Sequence, residues 1–153
     1  PILILFFLTK NHSFFIQIMK QIYSKIKADR IIASIIKIKD IGDYRTDVSP
    51  RSEYIQVSAR SIEKGIKVPA HMHLPIERKT NITQETWIII SGKIELELFD
   101  LDNSFICKEI IEAGGSATLY RGGHSLKVIE EKTIMYEIKT GPYFGVESDK
   151  KLI

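Results

Sequence analysis

Two histidines stand two residues apart in "GIKVPAHMH", residues 65–73, in a chain with four histidines in all. On a strand, residues i and i+2 face the same side. His71 and His73 would then aim two imidazoles at one point. Imidazole suits Zn, Cu, Fe and Ni, but a stable site takes three or four ligands. Two polar side chains on a water-facing strand would give the same spacing, so the question is what else can reach that point. Two candidates lie downstream. Glu85 stands just before the apolar run "TWIIISG", and His124 lies in "YRGGHSL", at the start of a strand-like stretch after a glycine pair.

The spacing resembles that of the cupin superfamily. Gly65, five residues, His71, one residue and His73 match the start of the first cupin motif, and Glu85, six residues and Gly92 match its end. The eleven residues "LPIERKTNITQ" between the halves make a longer loop than the motif usually has. Glu77 would satisfy the shorter gap but has no glycine at the right distance. The second motif is looser: Gly115, five residues, then Arg121 where proline is usual, with His124 directly after Gly123. The resemblance covers roughly residues 53–143. The ending "YEIKTGPYFG" is also similar, more weakly, to small cupins associated with surface-polysaccharide biosynthesis.

That resemblance implies an all-β fold, a cupin-type antiparallel jelly-roll barrel that is often a homodimer. It implies a divalent metal ion (Fe, Mn, Ni or Zn) held inside by His71, His73, Glu85 and His124. Strand parity adds neighbours. Trp87, Ile89 and Ser91 share the side of Glu85, and Leu126 and Val128 that of His124. Trp87 would be an apolar wall, for substrate or simply for the core. Tyr136, in phase with Ile134 and Ile138, could bring a hydroxyl to the cavity. Arg121 could hold a carboxylate or phosphate at the mouth, or be a surface arginine. Gln56, Ser58 and Arg60 form a polar face that suits either a ligand cavity or water. Cys107 reads as a small hydrophobe rather than a nucleophile.

The elements that must position these residues are strands. From Tyr54 on, "YIQVSARSI" alternates, and Ile94, Leu96 and Leu98 alternate with Lys93, Glu95 and Glu97. "DLDNS" and "EAGGS" are turns, and Glu131 and Lys132 mark another. Short strands with glycine-rich turns indicate a sandwich or barrel. Upstream the pattern is mixed. Ile18, Ile22 and Ile26 repeat at helical spacing with Ser13 as a cap, while "QIYSKIK" and "IIKIKDI" also alternate; residues 31–39 are extended or briefly helical. Residues 43–53 read as a loop. The expected organisation is a doubtful N-terminal extension over 1–18, a lead-in over 19–52 and the barrel over 53–153. The apolar start "PILILFFL" is too short to span a bilayer, and Met19 begins a natural protein start, so 1–18 reads as an over-extended gene start or a fragment boundary.

The chain has 153 residues, 44% of them hydrophobic and 27% charged, with a formal net charge of +3. No basic block argues for nucleic acid or an anionic membrane. With one cysteine no internal disulfide can form, which fits a cytoplasmic protein. The expected function is a metal-dependent enzyme acting on a small polar or sugar-derived substrate, by isomerase- or oxygenase-type chemistry with the metal as Lewis acid. The alternatives are a metal-free sugar-nucleotide isomerase or epimerase, with His71 or His73 as base and Tyr136 as acid, and a non-catalytic binding cupin.

Overall fold

The structure, a computed structural model, describes residues 19–42 and 44–153. The expected helix cap Ser13, the residue Ile18 and the whole 1–18 extension lie outside the described residues. Among the described residues, ten strands and two short helical turns follow one another. They are β1 (Lys20–Tyr23), β2 (Ile31–Ile36), a 3-10 turn (Ile38–Asp40), β3 (Thr46–Asp47), β4 (Ser58–Ala59), β5 (Glu85–Ser91), β6 (Lys93–Phe99), β7 (Phe105–Glu112), β8 (Ser116–Leu119), β9 (Gly123–Val128), β10 (Ile134–Lys139) and α1 (Val146–Asp149). Among the described residues, no helix is long and apolar enough to cross a membrane.

All pairings are antiparallel. One sheet has the order β1-β2-β8-β5-β10, another β7-β6-β9, and β3 pairs with β4 alone. The alternation in β6 does what its sequence predicts. Ile94, Leu96 and Leu98 are fully buried, and Glu95 and Glu97 turn outward to Lys108 on β7, at 3.0 and 3.2 Å. Against those three residues pack Trp87 and Ile89 of β5 and Ala33 and Ile35 of β2, so one apolar core lies between the two large sheets. Each buried aliphatic or aromatic side chain there contributes roughly 1.5–3 kcal/mol. No ladder joins the two sheets among the described residues, so the closed barrel expected from the sequence is not seen; the architecture is two antiparallel sheets over a shared core.

Gly92 joins those sheets. It takes φ +78° between β5 and β6, and a Cβ there would come within 2.8 Å of the Thr133 backbone. Only glycine takes that turn and that approach without strain. The turn predicted at 100–104 closes on Asp100, which is 1% exposed. Its carboxylate accepts hydrogen bonds from the N–H groups of Lys25 at 2.6 Å and Leu101 at 2.8 Å. Burial pushes the Asp100 carboxyl upward, but hydrogen bonds from Ser24, Leu101, Lys25 and Ile26 outweigh it and hold the group below the usual range.

Two local expectations shift. The strand expected over 54–62 shrinks to β4, while Ile55 is buried as its parity implies and packs with Ile31 and Tyr120. Residues 60–84 contain no strand, and 60–82 are exposed throughout.

Candidate functional site

Glu85 opens β5, opposite Leu119 of β8 on one side and Lys139 of β10 on the other. It is 3% exposed. Its carboxylate looks into a cavity of about 790 Å³ between the sheets, lined also by Trp87, His124, Leu126, Met135 and Glu137. His124 comes from β9 of the other sheet, where it sits opposite Leu98. Its Nε2 lies 3.4 Å from Glu85 Oε2, and its ring packs on Trp87 at 4.7 Å between centroids. Two residues 39 apart in sequence thus meet because their strands belong to facing sheets.

The charges are unevenly satisfied. Glu85 Oε1 accepts a hydrogen bond from Lys139 Nζ at 3.3 Å and has Lys150 Nζ at 3.9 Å. Glu85 Oε2 is buried and accepts no hydrogen bond among the described residues. A buried carboxylate oxygen without a donor is costly, so this atom is the point where a cation or a proton donor would be most favourable. Burial lowers the His124 pKa more than Glu85 raises it, which keeps the imidazole neutral at pH 7 and leaves it a lone pair.

Glu137 accepts a hydrogen bond from Trp87 Nε1 at 3.2 Å and pairs with Lys139 at 3.3 Å. Burial raises the Glu137 carboxyl, and these two contacts more than reverse the shift. For Lys139, burial works against the ammonium, and hydrogen bonds to Glu137 and Glu85 outweigh it, so it stays charged.

The structure therefore brings together two of the four expected ligands, Glu85 and His124, with Trp87 beside them. His71 and His73 lie on the exposed segment, outside any strand. Their rings meet edge to face at 5.4 Å, and His71 Nδ1 is 2.9 Å from the Pro69 carbonyl. Among the described residues no group of three His, Cys, Asp or Glu is placed to hold a metal ion. As arranged, the donors supply half of the set that the resemblance implies.

Two expected substrate contacts also sit elsewhere. Tyr136 is 64% exposed on the outer face of β10, and the cavity is lined from the opposite parity, by Met135 and Glu137. Arg121 lines a separate, smaller cavity. Its guanidinium is committed to Glu53, at 2.7 and 2.9 Å, and to the Ile31 carbonyl. Gln56, of the face offered as polar lining, bonds the Pro50 and Glu53 carbonyls in a surface loop. Cys107 packs at the edge of the core, and burial raises its thiol pKa, as suits a small hydrophobe.

Sequence reasoning missed Glu137, Lys139, Asp149 and Lys150. The first two carry a signal that was readable: opposite charges at i and i+2 on a strand share one face. "VESDK" carries none, because its placement depends on contacts made far away in sequence. No family model, no curated protein and no solved structure matches the chain.

Proposed function

We propose that the cavity under Glu85 and His124 is the functional site of a cupin-type protein. It would bind a divalent metal through these two residues together with His71 and His73, and act as a metal-dependent enzyme on a small polar or sugar-derived substrate. The observation that carries the proposal is the buried, unpartnered Glu85 Oε2 beside the neutral His124 imidazole. A carboxylate oxygen and an imidazole nitrogen aimed at one point are donors of the type a divalent transition metal takes. The eleven residues between His73 and Glu85 give ample reach, at ~3.3 Å per residue, for the histidine pair to approach. The two-sheet antiparallel architecture supports the same reading.

The test is metal content after purification without chelator or a histidine-rich tag. About one ion per chain is expected in the wild type, with loss in Glu85→Gln and in the His71→Ala/His73→Ala pair. A wild type with no metal, and none taken up on titration with Mn, Fe, Ni or Zn salts, would remove the proposal.

A second reading has its own support. Lys139 and Lys150 already place positive charge against Glu85 Oε1. On a metal-free site, neutral His124 is the general base and Glu85 orients it, with Trp87 as the apolar wall against which a flat or ring-shaped substrate lies. Turnover that survives exhaustive chelation but is lost in His124→Gln would favour this reading over the first.

A further inference from the structure

We infer that residues 146–153 form a latched strap over the Glu85 side of the cavity, and that solvent or a ligand reaches Trp87 and the Glu85 carboxylate when the strap releases. Residues 146 and 149–153 line the cavity wall, although they belong to neither sheet. Four contacts hold the segment down. Asp149 Oδ1 accepts a hydrogen bond from Thr83 Oγ1 at 2.7 Å, Asp149 Oδ2 lies 4.0 Å from Lys139 Nζ, Lys150 Nζ stands 3.9 Å from Glu85 Oε1, and the Ile153 side chain packs at Gly123.

Little else secures it. α1 is a single turn with no buried residue, and Val146, Leu152 and Ile153 are 62%, 102% and 58% exposed. A segment with few buried apolar contacts opens at low free energy. Asp149 Oδ2 is buried without a hydrogen bond and has only the Lys139 ammonium at 4.0 Å, so opening relieves part of its burial cost. Closed, the strap puts the Lys150 ammonium on the carboxylate that the cavity presents to a ligand. The latch thus competes with any cationic group that would pair with Glu85.

Trp87 is the only tryptophan in the chain and is 1% exposed, so its fluorescence reports the strap without any ligand. The experiment is acrylamide quenching of the full chain at low and high salt. In wild type, quenching should be weak at low salt and rise with salt, because a half-exposed ion pair is screened. Lys150→Glu should quench at least about twofold more readily, because it sets a second carboxylate against Glu85, and its salt dependence should reverse as salt screens that repulsion. Ile153→Ser, which leaves every charge in place, should raise quenching while keeping the wild-type salt dependence. Lys108→Glu, on the outer face of β7, should behave as wild type. Quenching of wild-type Trp87 as ready as that of free tryptophan overturns the inference. So does wild-type behaviour in both Lys150→Glu and Ile153→Ser. None of these readouts depends on metal, so the strap and the metal site stand or fall separately.

Discussion

β6 and residues 66–76 carry the same pattern and meet different fates. In β6, Ile94, Leu96 and Leu98 alternate with charged residues and are fully buried. In the earlier stretch Ile66, Val68, Ala70, Met72, Leu74 and Ile76 alternate with Lys67, Pro69, His71, His73 and Pro75, and all of it is exposed. The difference lies in neighbours. β6 has β7 on one side and β9 on the other, so its backbone has a partner strand along both edges and one face has a sheet to cover. The earlier stretch holds two prolines, which cannot donate to a ladder. A period of two shows which residues would share a face; it does not provide the second strand.

That contrast can be broken most severely in the core. Leu96→Ala should cost about 2–5 kcal/mol, as a cavity left between two sheets, whereas Leu74→Ala should stay within about 0.5 kcal/mol. Paired urea titrations would show it. Equal losses would mean that 66–76 is packed in solution after all.

A middle-sized effect is expected at Asp100. Asp100→Ala leaves the N–H groups of Lys25 and Leu101 without acceptors and should cost about 1–3 kcal/mol. Because the folded carboxyl sits below its ordinary value near 3.8, its contribution is present above that pH. It fades as the pH falls toward and through the depressed folded value. Melting temperature followed from neutral pH downward should drop in that window in wild type, and less steeply in Asp100→Asn. Identical profiles would contradict the assignment.

The smallest effect sharpens the comparison. His71→Ala/His73→Ala should leave apo stability within about 0.5 kcal/mol of wild type, and amides of 60–82 should exchange fast where those of β6 are protected. If metal addition slows exchange in 60–82, and not in the histidine variant, the two regions are parts of one site.

Much of the sheet framework was legible because its signals are local. The turn at 100–104, the turn at 112–116 and the parity of Glu85, Trp87 and Ile89 all follow from residues close together in sequence, whereas the bend at Gly92 falls in what reads as one continuous strand-like run. Glu85 and His124 were expected at one centre from the resemblance, and their side chains lie 3.4 Å apart. What was not legible depends on distant partners. Arg121 turns to Glu53, 68 positions away, a match that no window of sequence displays. Tyr136 was assigned inward because Ile134 and Ile138 flank it in phase. The inward face of β10 instead carries Glu137 and Lys139, since the cavity end offers Glu85 and the Trp87 indole N–H as partners. Residues 31–39 read as strand or helix, and they are both in turn: β2, then a single 3-10 turn.

The bend at Gly92 makes the site a pair of calipers. Glu85 lies seven residues before it along β5, and Leu98, the partner of His124, six residues after it along β6. Arms of that length, about 20 Å each at ~3.3 Å per residue, turn a rotation of about 5° at the apex into a displacement near 2 Å at the tips. Gly92→Ala would leave the carboxylate and the imidazole chemically intact and still move them apart. The spacing of the two groups is set by a residue that touches neither.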